Sequence, residues 1–266
     1  MKKITNAALF FFLSVLLFTS CKKEMKTTQD MVSPEAIAKI TALGFSTNNV
    51  QKVDEGYLVE GDIILTNENL NSTQGGKLLR VANTEQYQTT NLVTGTPRTI
   101  VISTSGSNIT TTLSDGINQA IARYNAENLV IKFSRGGSNG GGNINIRVVN
   151  TNQYIASAGF PSAGNPYIEI KYAKTYTSSS WSLGFVSTVI AHEMGHCIGF
   201  RHTDYMDRSF SCGGTPTNEG ASTIGAILIP GTPSGPDALS WMLACLSATT
   251  NRPFNANDKT ALNFLY

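Results

Sequence analysis

The sequence predicts an α+β fold: a twisted mixed sheet backed by one helix, then a helix that carries candidate site residues, then a closing helix. Strand-like runs lie at residues 99–102, 129–133 and 144–149. Between the first two runs, apolar residues fall at helical spacing, at Leu113, Ile117, Ile121 and Tyr124. Strands that alternate with a helix on this scale give a sheet with the helix packed against one face.

The remaining elements are predicted from similar patterns. A helical stripe is formed by Phe185, Val189, His192 and His196. Residues 257–266 are expected to form the closing helix, and Ser33-Pro34-Glu35 is expected to open a short helix that ends at Gly44. Apolar and polar side chains alternate over residues 168–172, which is typical of an edge strand. Glycine-rich residues 136–142 are expected to connect two strands flexibly.

The composition argues against a nucleic-acid-binding protein. The chain has 266 residues, a formal net charge of +2 and 14% charged residues, and it contains no basic stripe. Low charge together with many Ser, Thr, Asn and Gly residues is typical of an exported protein. We therefore expect no nucleic-acid partner.

The N-terminus has the pattern of an export signal. Lys2 and Lys3 precede an apolar run, residues 7–18, that is too short to span a bilayer as a helix. Phe18-Thr19-Ser20-Cys21 is similar to a bacterial lipobox, whose cysteine is acylated after cleavage. A plain secretory signal with a neighbouring cysteine is the alternative. In both cases residues 1–20 are a signal peptide outside the fold.

Three imidazoles and a carboxylate lie within the eleven residues from His192 to His202. The chain has only three histidines, and all of them fall at the spacing HExxHxxGxxH. His192 and His196 are four residues apart, so on a helix they project from one face and can bind one metal ion. Glu193 follows His192 and can accept a proton from a water molecule at the metal.

Gly199 is the expected end of this helix, because glycine adopts a positive φ without steric cost. The turned chain can then bring His202 back as a third ligand. Three protein ligands leave a fourth position open, as in catalytic zinc sites, whereas a structural site is closed by a fourth side chain. The motif therefore predicts a catalytic Zn²⁺ site.

The extended motif resembles that of the metzincin zinc endopeptidases. The run HEMGHCIGFRHTD is most similar to the dual-action HEIGH metallo-peptidases, which are related to the astacins. The resemblance extends from about Asn83 to Tyr266 and implies a C-terminal subdomain with a Met-turn, a tight turn that places a methionine beneath the zinc ligands. Ser240-Trp241-Met242 resembles the signature of that turn, which implies that Met242 is its methionine.

The resemblance also implies an N-terminal segment that keeps the enzyme latent. Astacin precursors carry an F-x-G-D motif whose aspartate binds the zinc and displaces the catalytic water. Val59-Glu60-Gly61-Asp62 is similar, although valine replaces the phenylalanine; on pattern alone this stretch is a turn or a strand end. We expect residues 21–82 to form a tether and propeptide with Asp62 as the latency switch, and residues 83–266 to form the catalytic domain.

Two positions differ from the astacin pattern. Astacins have a transition-state-stabilising tyrosine two residues after the Met-turn methionine, and this chain has Ala244. They also have a glutamate directly after the third histidine, where this chain has Thr203 followed by Asp204. The resemblance is therefore to metzincins broadly.

Three cysteines remain once Cys21 is assigned to the lipid anchor. An odd number in an oxidising compartment allows at most one pair within the chain. We favour Cys212 with Cys245, which would join the loop after the zinc motif to the segment after the Met-turn. Cys197, which neighbours a predicted ligand, is also available for pairing.

These features together predict an exported zinc-dependent endopeptidase, made as a zymogen, that hydrolyses peptide bonds in proteins or peptides. We expect a monomer at the bacterial cell envelope, attached to a membrane by its lipid anchor or released after propeptide cleavage. The alternative is a non-catalytic surface lipoprotein that uses zinc for structure while it binds a partner or glycan. Chelator-sensitive cleavage of casein separates the two.

Overall fold

The computed structural model describes residues 32–71, 86–216, 218, 226–233 and 235–266. The expected signal peptide, Cys21 and the expected end of the propeptide near Asn83 lie outside the described residues. Val32–Tyr266 forms one unit. None of the helices in the described ranges combines the length and the apolar character that a bilayer span requires.

Within these ranges the helices are, in chain order, α1 (Pro34–Ala42), α2 (Asn67–Asn71), α3 (Thr111–Ala126), α4 (Leu183–Ile198), α5 (Ser209–Cys212) and α6 (Ala256–Leu265). The strands are β1 (Gln51–Val53), β2 (Gly56–Val59), β3 (Ile63–Thr66), β4 (Tyr87–Gln88), β5 (Arg98–Ser105), β6 (Ile131–Arg135), β7 (Ile144–Val149), β8 (Ala156–Ser157), β9 (Glu169–Ala173) and β10 (Ile227–Leu228). The predicted α+β class is confirmed.

The main sheet has the strand order β6-β5-β7-β9-β8. Strand β8 runs antiparallel to β9, and the other pairs are parallel, so the sheet is mixed as predicted. Helix α3 is capped by Thr110, whose side chain accepts a hydrogen bond from the Leu113 amide. The apolar stripe of α3, the inner face of the sheet and helix α4 form one hydrophobic core.

Helices α3 and α4 pack closely because a glycine lies at their contact. A Cβ at Gly116 would lie 2.4 Å from Cγ1 of Val186 on α4. The hydroxyl of Tyr124 on α3 donates a hydrogen bond to the carbonyl of Ala191 at 2.8 Å. The predicted backing helix thus fixes the helix that carries the histidine motif.

The expectation that residues 168–172 form an edge strand is wrong, because β9 lies between β7 and β8. Both of its polar side chains form ion pairs, and one of them is buried. Lys171 is only 7% exposed and pairs with Glu55, and Glu169 pairs with Arg147. Alternation of apolar and polar residues therefore did not mark a solvent-facing side.

Residues 32–71, which we call the N-terminal segment, have a hydrophobic cluster of their own. Ser33 caps helix α1, because its side chain accepts a hydrogen bond from the Ala36 amide, and the chain turns at Gly44, as predicted. Strands β1, β2 and β3 form an antiparallel sheet. The buried members of the cluster are Ile40, Leu43, Phe45, Val59, Ile63, Leu65, Leu70 and Phe160. Of these, only Phe160 lies outside the N-terminal segment.

Candidate metal centre

Helix α4 positions two of the three histidines. The Ser182 side chain caps its N-terminus by accepting from the Phe185 amide at 3.1 Å. At its C-terminus Gly199 adopts φ 112°, a left-handed conformation that glycine tolerates, as the motif predicted. His192 and His196 lie on one side of this helix, one turn apart, and both are buried.

The turn after Gly199 brings His202 back to the helix. The Nε2 atoms of His192 and His196 are 3.0 Å apart, and those of His196 and His202 are 3.2 Å apart. All three rings are buried, and His202 is fully so. The three predicted ligands therefore converge through the same ring nitrogen.

Backbone carbonyls fix the orientation of two of these rings. Nδ1 of His192 lies 2.9 Å from the carbonyl of Trp241, and Nδ1 of His196 lies 2.8 Å from that of Phe200. A carbonyl oxygen only accepts, so each Nδ1 carries the proton and each Nε2 of the neutral ring presents a lone pair. Burial and the two neighbouring imidazoles lower the pKa of His196 well below its usual value.

Lone pairs that face one another at this distance repel unless a cation lies between them. Nitrogen ligands about 2.0–2.1 Å from a tetrahedral zinc stand roughly 3.3 Å apart, close to the observed separations. Imidazole nitrogen together with carboxylate oxygen is also a donor set that zinc accepts. The residues present fit zinc.

Asp62 of the N-terminal segment lies at the same point. Its Oδ2 is 3.2 Å from Nε2 of His202 and 3.6 Å from Nε2 of His192. The four potential ligand atoms all lie within 4.8 Å of one another. Burial alone would raise the pKa of the Asp62 carboxyl, but the nearby imidazoles hold it well below its usual value. The structure thus places a carboxylate at the position that three protein ligands leave open.

Glu193 is buried beside these ligands, with 3% of its surface exposed. Burial, and secondarily the charge of Asp62, raises the pKa of its carboxyl well above the usual value. Among the described residues its Oε2 has no hydrogen-bond partner. Glu193 faces a cleft that is also lined by Gly61, Ile155, Ala156 and Ala244. A buried carboxylate with an open acceptor beside a metal site can accept a proton from water.

A sequence model of the dual-action HEIGH metallo-peptidases matches residues 57–266, a range that contains the histidine motif and Asp62. The chain belongs to this family. The resemblance drawn from the motif is confirmed, and this HEIGH peptidase is a zinc metalloendopeptidase.

Several solved structures are similar to this HEIGH peptidase at low sequence identity. One structure of myroilysin is 14% identical, with a TM-score of 0.45, and the match covers 66% of this chain and 96% of that one. A second myroilysin structure is 13% identical, with a TM-score of 0.42 and coverages of 77% and 98%. High choriolytic enzyme 1, a hatching enzyme zinc-protease from Oryzias latipes (Medaka fish), is 16% identical, with a TM-score of 0.32 and coverages of 62% and 88%. No curated protein matches the chain. The family assignment therefore rests on residues 57–266.

In this HEIGH peptidase Met242 lies directly beneath the helix turn between His192 and His196. A Cβ at Gly195 would lie 2.6 Å from Sδ of Met242, so only glycine permits this approach. Met242 is fully buried. The backbone carbonyl of the preceding residue, Trp241, accepts a hydrogen bond from Nδ1 of His192. The indole N–H of Trp241 donates to the carbonyl of Ala191 at 3.2 Å. The turn therefore orients a predicted ligand as well as supporting it.

Asp258 supports the Met-turn, and sequence reasoning missed it. One carboxylate oxygen accepts from the Trp241 amide at 3.3 Å and from the Asn255 amide at 3.0 Å. The other accepts from Nε2 of Gln86 at 2.7 Å. The spacing Asn255-x-x-Asp258 is a visible capping signal for α6. That signal locates the start of the helix but cannot reveal its contact with the Met-turn.

Asp258 is expected to make the free energy of unfolding depend on pH. Burial raises its pKa from 3.8 to about 7, against the lowering effect of its hydrogen bonds. Between these values the folded chain binds the proton more tightly than the unfolded chain does. The free energy of unfolding is therefore expected to fall as the pH rises through this window, by about 4 kcal/mol at most from this residue. Asp258→Asn should remove that contribution. Urea unfolding at pH 5 and pH 8 measures how the free energy of unfolding changes with pH in the parent and in the variant. An equal change in both would contradict the role of Asp258 in this pH dependence.

Cys212 and Cys245 form a disulfide, whereas Cys197 is free and buried. The disulfide joins α5, after the zinc motif, to the segment after the Met-turn. Asp204 connects the same two segments, because it accepts from Oγ of Ser211 at 2.5 Å and from the Ala244 amide at 2.9 Å. The acid that follows Thr203 is therefore engaged in holding this loop.

Proposed function

We propose that this zinc metalloendopeptidase is exported as a zymogen, in which residues 21–82 form a tether and propeptide and residues 83–266 form the catalytic domain. In this proposal Asp62 is the fourth zinc ligand of the latent form. Removal of the propeptide, near Asn83, then opens the ligand position to water and substrate. The substrates are proteins or peptides.

The observation that carries this proposal is the position of the Asp62 carboxylate among three imidazole nitrogens. A carboxylate oxygen is an ordinary zinc ligand. The same stretch is also a turn, since Glu60 has φ 57° and Gly61 has φ 94°. The turn directs the aspartate towards the histidines, so the structural and functional interpretations of Val59–Asp62 are compatible.

The way the N-terminal segment lies against the rest of the chain supports its role as a removable inhibitor. Among the described residues, Phe160 is the only member of its buried cluster that comes from the rest of the chain. It also pairs with the backbone next to β8: the carbonyl of Asp62 accepts from the Ala158 amide at 2.9 Å, and the Ile64 amide donates to the carbonyl of Ala158 at 2.7 Å. An extended substrate binds a free strand edge through the same backbone groups, so the segment would compete with it.

In the active form His192, His196 and His202 hold the zinc. Zinc, when bound, supplies a Lewis acid that lowers the pKa of water and polarises the scissile carbonyl. Glu193 accepts a proton from the attacking water and passes it to the leaving amine.

Export is supported by the disulfide, which is typical of oxidising compartments. The pattern of residues 1–20 and of Cys21 supports a lipoprotein signal and a membrane anchor at the bacterial cell envelope. In the alternative location the enzyme is extracellular, released after propeptide cleavage. We propose a monomer. A plain secretory signal remains the alternative to the anchor.

The test compares the full zinc-loaded chain before and after limited trypsin treatment, with trypsin then blocked by an inhibitor. Lys77 and Arg80 offer trypsin sites near the proposed end of the propeptide. We expect little casein cleavage before treatment and strong, phenanthroline-sensitive cleavage afterwards. A treated, zinc-loaded chain that releases no casein fragments would overturn the peptidase proposal. Equal activity before and after treatment would overturn the zymogen.

A further inference from the structure

We propose that Arg208 binds a backbone carbonyl of the substrate beside the zinc ligands and so holds an extended peptide in the cleft. The inference rests on the proposed function, because the cleft admits substrate only after the N-terminal segment leaves. It names a substrate-binding residue, and it concerns how firmly a peptide is held in the cleft.

The contact that points to this role joins Arg208 to the stretch of the N-terminal segment that lies in the cleft. Arg208 lines the cleft together with His192 and Glu193. Its Nη1 donates to the backbone carbonyl of Glu60, two residues before Asp62. The guanidinium therefore already binds peptide backbone, two residues along the chain from the carboxylate at the metal site.

A second element of the cleft binds the same stretch through its backbone. The carbonyl of Asp62 accepts from the Ala158 amide at 2.9 Å, close in sequence to Ala156, which lines the cleft. Between these two bonds, a Cβ at Gly61 would lie 3.8 Å from Nη2 of Arg208, which is ordinary van der Waals contact. A peptide backbone in this place is thus held at one carbonyl by each of two separate elements.

Arg208 is also the main source of side-chain donors in the cleft. Apart from the zinc ligand His192, it is the only described residue lining the cleft whose side chain carries N–H groups. The lining residues that follow it in the chain are Ala244, Cys245 and Leu246, and none of them has a side-chain N–H or O–H. A hydrogen bond from a guanidinium is charge-assisted and stronger than one between neutral groups. A peptide carbonyl at Arg208 therefore gains a bond that the other lining side chains do not offer.

Arg208 is expected to keep its place when the N-terminal segment leaves, because it is anchored to the part of the chain that remains. Its carbonyl accepts from the Cys212 amide at 2.9 Å. Cys212 forms the disulfide with Cys245, and Oγ of Ser211 accepts from the Cys245 amide at 3.0 Å. Departure of the segment thus removes the Glu60 carbonyl and leaves the arginine at the cleft.

We commit to a backbone carbonyl of the substrate, because that is the group that Glu60 presents to Arg208. The carboxylate of Glu60 is directed elsewhere, to the Ser46 amide at 3.3 Å and to Arg201 at 3.4 Å. A peptide has a carbonyl at every residue, so this contact positions an extended chain without selecting a side chain. The expected consequence is a dependence on the substrate backbone.

The test uses the trypsin-activated, zinc-loaded full chain and acetylated, amidated peptides of one sequence, with the fragments identified by mass. In each peptide a trans-alkene replaces one of the three peptide bonds on either side of the cleaved bond, which removes one carbonyl and keeps the extended shape. We expect one position at which kcat/KM of the parent falls by about ten-fold or more, since hydrogen bonds to charged groups are worth that much. In Arg208→Met, which removes the donors, the loss at that position should be smaller by more than about three-fold.

Arg208→Gln, which is shorter and uncharged, is measured in parallel with the same expectation, so that poor folding of one variant leaves the comparison possible. Zinc content and Tm identify the folded chains. A merely structural role of Arg208 would lower the activity on all peptides alike and would leave the loss at each position unchanged.

Arg98→Met is the matched control, because Arg98 also donates to backbone carbonyls, those of Thr94 and Gly164, which are not among the described residues lining the cleft. Its losses should equal those of the parent at every position. The substrate-binding role is overturned if no position costs the parent more than about three-fold, or if the losses of parent and Arg208 variants agree within about three-fold. Failure of the activated parent to cleave the unmodified peptide would count instead against the proposed function.

Discussion

Replacing Glu193 by glutamine is expected to lower kcat/KM of the activated enzyme by about 10²–10⁴-fold. Glutamine has nearly the same shape as glutamate, but its amide cannot take a proton from the attacking water. Glu193 is buried, and burial penalises the charged form of its carboxyl, which raises its pKa. Glutamine carries no charge and avoids this penalty. The variant should therefore be at least as stable as the parent. Loss of activity without loss of stability distinguishes a catalytic group from a structural one.

Three measurements together check the role of Glu193. Peptide hydrolysis gives kcat/KM, metal analysis gives the zinc content per chain, and thermal unfolding gives Tm. We expect one zinc per chain in parent and variant and an equal or higher Tm in the variant. Activity within a factor of about ten of the parent would contradict proton transfer by Glu193, since loss of a general base costs more. Loss of zinc in the variant would show that the side chain acts as a ligand.

Asp62→Ala is expected to raise the activity of the untreated full chain by about two orders of magnitude or more, towards that of the trypsin-activated parent. The alanine removes the carboxylate that lies within 3.2 Å of His202, so water can reach the fourth ligand position. Activation should stay incomplete, because Glu60 and Glu55 still bind Arg201 and Lys171. Residual competition by the docked segment should appear as a raised KM.

Asp54→Ala is the control for this experiment, because Asp54 is an exposed acid of the same segment. It should leave the chain latent. The activity of both full-length variants is measured before any trypsin treatment, and the chains are checked by mass to be intact. An Asp62→Ala chain as inactive as the parent would remove the aspartate switch from the proposal. The Asp62→Ala variant also tests the metal site, because we expect the three histidines to retain one zinc per chain.

The sequence was most informative where a short-range geometry decides the outcome. Helix periodicity puts His192 and His196 on one face, and Gly199 allows the turn that returns His202; each rule acts over fewer than about eight residues. The α3 stripe and the strands of the main sheet follow equally local patterns. Even the two interpretations of Asp62, turn residue and ligand, could be stated from the sequence and a family resemblance.

Alternation misled the prediction for β9 because it reports polarity and not exposure. Lys171 has a polar side chain, yet it is buried by Glu55 from a segment more than a hundred residues earlier. The same limit hid Asp258, whose carboxylate contacts the Met-turn and Gln86 at long sequence separation. No local pattern encodes such partners.

What the sequence determined by itself is the set of zinc-binding histidines and the adjacent acid, because the helix and one glycine turn fix their relative positions. The tertiary structure alone decided that Asp62 lies at the histidines, that Glu60 is buried against Arg201, and that Asp258 supports the Met-turn. These contacts depend on how separate elements pack, and packing depends on the whole chain.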